Sequence, residues 1–250
     1  MYGFLICLGA FAAFLISENT AKKRNLNLKL FYRTFNIAFI LGLVSARLYH
    51  VIDYWSLYKT NPILIPQVWK GGMGIYGAFA GGLTGVFLSL KVFNKQKVNL
   101  LKWLDITVLG LPLAQAIGRW GNFFNKELYG MESSLPWTIE VKGKTYHPLF
   151  LYESILNLIL FVILWKLNKT QRKLTAGKIF YTYLAGYGLI RFALEFLRLR
   201  SWTIYGINVA QAISLLLIII GLQGLSFTQF KLYTSRKVKN SKSIKDNPSK

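Results

Sequence analysis

Between Gly118 and Gly130 the chain reads GRWGNFFNKELYG. It sets Arg119, the amides Asn122 and Asn125, Lys126 and Glu127 among glycines and aromatics, straight after the apolar stretch WLDITVLGLPLAQAI. Three further segments repeat the pattern of ionisable groups in apolar surroundings. GYGLIRFALEFLRLR carries Arg191 and Glu195 four residues apart, hence on one helix face, with Arg198 and Arg200 following. VSARLYHV carries Arg47, and HPLFLYES carries His147, Tyr152 and Glu153. A charge at membrane depth costs several kcal/mol unless it pairs, snorkels or faces water. Arginines from three separate segments therefore point to an anionic ligand, and the planar donor fork of guanidinium suits a phosphate. The competing assignment is structural, with Glu153 and Glu195 as buried ion partners between helices.

Other residue types narrow the chemistry. His147 precedes Pro148 at the start of an apolar segment, and histidine is the side chain that ordinarily titrates near neutrality. Gly71 and Gly72 are placed to offer backbone N–H groups to a headgroup. Gly77, Gly81 and Gly85 recur every four residues, which admits either a neighbouring helix or an acyl chain. With two histidines, His50 and His147, and one cysteine, Cys7, the chain has no metal-binding constellation and no internal disulfide. It also lacks a P-loop or dinucleotide fingerprint, so no cofactor is expected. A transporter or binding protein for an anionic solute or lipid is the alternative, although no internal repeat of the kind transporters carry is visible.

The elements that must position these groups follow from composition. Of 250 residues 53% are hydrophobic and 16% charged, with mean hydropathy +0.36, which is the balance of a multi-span membrane protein. The net charge of +22 would suggest nucleic acid in a soluble protein. Here the excess lies in short runs between apolar segments, so nucleic-acid binding is not expected. Seven spans are expected, near 2–17, 35–52, 71–92, 103–118, 148–167, 177–197 and 207–226. Basic runs follow the first, third, fifth and seventh, which places the N-terminus outside and the C-terminus in the cytoplasm. The polar segment around 119–147 is then an outer loop. Lys22, Lys23 and Arg24 after the first apolar run mark it as a retained span rather than a cleaved signal peptide. Residues 1–230 form one all-α transmembrane domain, and 231–250 a basic disordered tail in contact with membrane lipids.

GRWGNFFNKELYG resembles the signature of the phosphatidylglycerol–prolipoprotein diacylglyceryl transferases, a bacterial inner-membrane family. The resemblance spans nearly the whole chain: Tyr2-Gly3, SARLYHV, KGGMGIYGAFAGG, Asp105, HPLFLYES, YGLIRFALEFLR and INVAQAISL fall in the family's order. It implies a seven-span, all-α integral membrane protein of the bacterial plasma membrane with its site towards the extracytoplasmic side. It also implies transfer of diacylglycerol from phosphatidylglycerol to the lipobox cysteine of a prolipoprotein signal peptide, with a thioether formed and glycerol phosphate released. The family's functional positions map onto Tyr2, Arg119, Asn122, Glu127, Gly130, Tyr187, Arg191, Glu195 and Arg198. On that footing Arg119 and Arg191 neutralise the departing phosphate, with Asn122 and Asn125 holding the headgroup or loop. Arg47, Gly71 and Gly72 belong to the substrate-binding surface. The attacking thiol, of free pKa about 8.5, needs a base or a positive field; His147 is the first candidate, with Tyr76 and Glu153 as rivals. Tyr76 stands where many members have histidine. Both substrates enter sideways from the bilayer, and the Gly77/Gly81/Gly85 face is expected to wall an acyl chain.

Overall fold

The computed structural model describes residues 1–94, 97–170, 175–199 and 202–245. Nine α-helices among these residues make an all-α integral membrane protein: α1 (Tyr2–Lys23), α2 (Leu28–Asp53), α3 (Trp55–Thr60), α4 (Ile75–Phe93), α5 (Leu100–Thr107), α6 (Leu111–Phe124), α7 (Leu149–Thr170), α8 (Lys178–Glu195) and α9 (Val209–Lys245). Two short antiparallel hairpins complete it, β1 (Ile139–Val141) with β2 (Lys144–Tyr146), and β3 (Thr203–Ile204) with β4 (Ile207–Asn208). Six stretches are long and apolar enough to cross a membrane: α1, α2, α4, α5 with α6, α7 and the first part of α9. The seventh expected span is α8, whose 18 residues include Lys178, Arg191 and Glu195 and so fall outside ordinary span composition. The helix that departs from that composition carries much of the candidate site.

Several boundaries differ from those expected. The span expected as one piece over 103–118 is two helices, because Pro112 lacks an N–H and its ring clashes with a carbonyl one turn back, so α6 starts afresh around it. Gly110 at this break sits 2.6 Å, as a built Cβ, from Ala13 Cα of α1, so a side chain there would push the helices apart. α6 then continues to Phe124, so Arg119 and Asn122 are helical and the loop begins at Asn125 rather than at 119. The basic tail expected from 231 continues α9 as helix to Lys245, and 246–250 lie outside the described residues, as does Arg200.

The chain forms two compact units, Met1–Ser17 with Leu101–Lys250, and Glu18–Leu100. In the first, Leu109, Leu160, Leu164, Ile179, Tyr183 and Leu194 form the core. Asp105 of α5 is fully buried and accepts from the backbone N–H of Gly177 and of Phe180, both at 2.8 Å. Gly177 has φ +95°, so α8 begins at a glycine turn with no capping side chain of its own. The distant carboxylate takes the orphan donors and meets the positive end of the helix dipole. Asp105→Ala is expected to cost about 3 kcal/mol, since it strands buried N–H groups that faced a charge. A thermal midpoint in detergent that matches the parent protein would refute this role.

In the second unit, α2 packs on α4. Gly77, Gly81 and Gly85 are buried, and a Cβ at any of them would run into α2: at Gly77 the Ser45 carbonyl oxygen, at Gly81 that of Leu41, at Gly85 the Ala38 Cα at 2.5 Å. The glycine face is therefore filled by a helix, which corrects the expectation of an acyl-chain wall there. Arg47 on α2 is 7% exposed and clips the following loop through its backbone. Its donors reach the carbonyls of Ile65 (2.8 Å), Gly71 (2.5 Å), Gly72 (2.7 Å), Leu64 (2.5 Å) and Gln67 (3.4 Å). Arg47→Lys keeps the charge but loses the fork, leaving at least two carbonyls unbonded. Faster limited proteolysis within 61–74 is the expected outcome; unchanged cleavage would show that the clip does not hold the loop.

Candidate active site

Three consecutive helices of the first unit bring the charged groups together. Arg119 from α6 pairs with Glu153 of α7, Nη2 to Oε1, at 2.7 Å. The other oxygen of Glu153 takes Arg191 Nη1 of α8 at 3.5 Å. Arg191 Nη2 reaches Glu195 Oε2 at 3.1 Å, and the same oxygen takes Arg198 Nη1 at 3.3 Å. Asn208, from β4, donates to Glu195 Oε1 at 3.3 Å. The result is an unbroken ladder, Arg119–Glu153–Arg191–Glu195–Arg198, with three cations to two anions. Burial is unequal along it. The side chains of Glu153 and Glu195 are 5% and 0% exposed, whereas those of Arg119, Arg191 and Arg198 are 23%, 20% and 29% exposed. The carboxylates thus lie inside and hold the cations, whose side chains are only partly covered.

Tyr187 stands one turn before Arg191 in α8 and stacks on Tyr183, ring centroids 5.7 Å apart. Tyr183 in turn takes the amide of Gln115 at 3.0 Å. Residue type alone does not mark Gln115, Tyr183 and Asn208 as parts of the site. The one signal in the sequence is the four-residue offset of Gln115 from Arg119 and of Tyr183 from Tyr187.

The loop after α6 is tied over this region by its backbone. Gly130 N–H donates to the His147 carbonyl at 2.9 Å, His147 N–H to Met131 O at 3.1 Å, and Met131 N–H to Leu197 O at 2.8 Å. Only glycine fits at 130, because a built Cβ lies 2.7 Å from the Leu197 oxygen and 2.8 Å from His147 Cβ. The His147 ring faces Tyr152, Nδ1 to hydroxyl 3.3 Å, and that hydroxyl also takes Trp137 Nε1 at 2.7 Å. Outside this tie, Lys144 of β2 pairs with Glu132, which raises the lysine's pKa chiefly through their hydrogen bond.

The signature segment itself divides. Arg119 enters the ladder and Asn122 is buried, its carbonyl taking the Glu127 N–H at 2.9 Å. Asn125 and Glu127 turn outward and bond one another at 2.8 Å in an exposed position, so the fold sets them apart from the charged ladder. Lys126 (φ +52°) and Leu128 (φ +55°) turn the chain through the left-handed region to do this.

The remaining expected residues belong to the Glu18–Leu100 unit, except Tyr2, whose backbone opens α1 and whose side chain lies outside the described part. Arg47 has its donors occupied by loop carbonyls, which corrects its assignment to a phosphate. Gly71 and Gly72 present carbonyls to Arg47, and the Gly71 N–H bonds Val68 O at 3.2 Å, which corrects the assignment of Gly71 as a headgroup donor. Tyr76 is 47% exposed on the first turn of α4, its ring 6.0 Å from that of Tyr49. Among the described residues no group of three His, Cys, Asp or Glu side chains stands close enough to hold a metal ion.

Comparison with known proteins bears on this arrangement directly. The family model for prolipoprotein diacylglyceryl transferase matches residues 1–227. The chain belongs to the prolipoprotein diacylglyceryl transferase family. A phosphatidylglycerol–prolipoprotein diacylglyceryl transferase of Clostridioides difficile (strain 630) is 37% identical over 239 residues, 96% of this chain and 92% of the relative. One from Finegoldia magna is 38% identical, covering 88% of this chain and 87% of the relative. One from Clostridium novyi (strain NT) is 38% identical, covering 88% of each. The matched span takes in every member of the ladder, and a prolipoprotein diacylglyceryl transferase is a membrane transferase.

Proposed function

We propose that this protein transfers diacylglycerol from phosphatidylglycerol to the thiol of a lipobox cysteine in a prolipoprotein signal peptide. One observation carries the reading: Arg119 and Arg191, from different helices, converge on the single carboxylate of Glu153. A phosphate needs that same pair of forks, and Glu153 holds them in place for it. The sulfur forms a bond to the glycerol carbon as the carbon–oxygen bond to phosphorus breaks. The electron pair leaves on the phosphate oxygen, glycerol phosphate departs, and the thiol proton passes to a base. The charge that develops lies where the guanidiniums already stand, so they stabilise it without reorganising. No protein nucleophile is required.

The proton acceptor belongs to the same proposal. His147, held against Tyr152, and Glu153, set between the two arginines, are the two candidates in the unit that carries the ladder. Tyr76 is the third, on its position in the family pattern. The site faces the extracytoplasmic side of the bacterial plasma membrane, following the basic runs that keep the intervening loops inside. Tyr187, Arg198, Gly130 and Asn122 complete the lipid-binding surface, and the substrates arrive laterally from the bilayer.

The test is a mass measurement. A synthetic lipobox peptide incubated with the purified protein and phosphatidylglycerol vesicles gains one diacylglyceryl group, through a thioether stable to hydroxylamine. No gain in mass, together with anion uptake into proteoliposomes, would replace the reading with that of a transporter.

A further inference from the structure

Next to the ionic ladder lies a second, uncharged tier. Each of the three helices places a hydrogen-bonding side chain one turn from its charged residue: Gln115 four before Arg119, Asn157 four after Glu153, and Tyr187 four before Arg191. α7 runs against its neighbours. Glu153 meets Arg191 while Leu160, further along, fills the space beside Gly186, where a built Cβ would lie 2.6 Å from Leu160 Cδ1. Ser154 Oγ likewise donates to Ala116 O of α6 at 3.0 Å. The three offsets therefore point the same way, towards the interior of the spans.

Asn157 in this tier is 0% exposed, and neither its amide nitrogen nor its carbonyl oxygen has a partner within the protein. The Gln115 carbonyl oxygen is also buried and unpartnered, although its amide nitrogen serves Tyr183. Beyond them α7 turns apolar, with Leu160 and Leu164 in the core. Buried amides without partners cost stability, and nearly all in folded proteins are satisfied. Two at one level, one helical turn from a phosphate-gripping pair, call for a partner from outside the chain.

We infer that Asn157 and Gln115 form a subsite for the acyl ester carbonyls of the lipid donor. This rests on the diacylglyceryl-transfer reading above. In a glycerophospholipid the ester carbonyls stand a few bonds from the phosphorus, on the order of the 5.4 Å pitch of a helix. With the phosphate on Arg119 and Arg191, they fall at the level of the amides. Asn157 donates from its Nδ2. Gln115 presents either end, because the Tyr183 hydroxyl both donates and accepts and so tolerates both amide orientations. A donor with ether-linked chains has the same phosphate and tails but no carbonyls, and leaves both amides buried and unpartnered.

The experiment compares peptide lipidation by the full-length protein in detergent, using dipalmitoyl phosphatidylglycerol and its dihexadecyl ether analogue at equal concentration. The parent protein is expected to use the ester donor roughly tenfold faster, the scale of a lost hydrogen bond with its partner left stranded. Asn157→Leu and Gln115→Met are expected to slow the ester reaction more than the ether reaction, narrowing the gap. Equal rates on both donors in the parent protein overturn the subsite. So does an equal slowing of both reactions in the variants, which is the mark of a purely structural role. If Asn157→Leu does not fold, Asn157→Ala and the parent protein's donor preference still decide. Transfer from neither donor removes the transferase reading and the subsite together, whereas equal transfer removes the subsite alone.

Discussion

Arg119→Ala is expected to lower diacylglyceryl transfer by about 10²–10³ while the protein still inserts and folds. The size follows from the proposed chemistry, in which the leaving group is a phosphate monoester and the guanidinium stands where its charge develops. The selectivity follows from the geometry. Arg119 is 23% exposed, and its removal leaves Glu153 still paired with Arg191 at 3.5 Å, so no carboxylate is stranded. Arg191→Ala is expected to match the loss of transfer but to cost more stability, because Arg191 links both carboxylates. Arg119→Lys should fall between alanine and the parent, keeping a point charge but not the fork. The measurement is peptide lipidation followed by mass, beside thermal midpoints of the same preparations. Normal thioether formation by Arg119→Ala would end the phosphate-binding role, and loss of folding in step with activity would make the arginine structural.

The second large effect falls on stability. Glu195→Ala is expected to cost about 3–5 kcal/mol, the range for removing one partner of a buried ionic group. Its carboxylate is 0% exposed and holds Arg191 at 3.1 Å, Arg198 at 3.3 Å and Asn208 at 3.3 Å. Those groups tie the end of α8 to the β3–β4 hairpin, so alanine leaves Arg198 partly buried without its counter-charge and Arg191 with Glu153 alone. Glu195→Gln keeps the shape and one acceptor, and should cost less than half as much. Thermal unfolding in detergent separates the cases. A Glu195→Ala midpoint within a degree of the parent protein would show that the lower half of the ladder holds nothing together.

The site is legible in the sequence where residue type and spacing share one helix. Arg191 and Glu195, four apart in an apolar run, announce their pairing by spacing alone. Glu153 and Glu195 as ion partners of the arginines also follow from residue type, because an unpaired charge in an apolar segment is too costly to stand alone. Arg47 shows the limit of that reasoning. Its type and its place in an apolar segment match those of Arg119, yet its donors end on five carbonyls of its own loop. Backbone carbonyls are present at every residue, so nothing in the residue letters marks which of them will turn inward. Asn125 and Glu127 mislead for the opposite reason, since their nearness in sequence to Arg119 is undone where α6 ends and the chain turns away.

By itself the amino-acid order determined the membrane class, the series of apolar segments and the need of the arginines for charged or polar partners. These depend on burial cost and period, which are local quantities summed along the chain. Only the tertiary structure decided which arginine meets which carboxylate, that the α4 glycines serve helix packing rather than lipid, and that Asp105 starts a helix 72 residues away. Such pairings are set by the relative rotation and depth of packed helices. That is a long-range steric solution, and no stretch of neighbouring residues contains it.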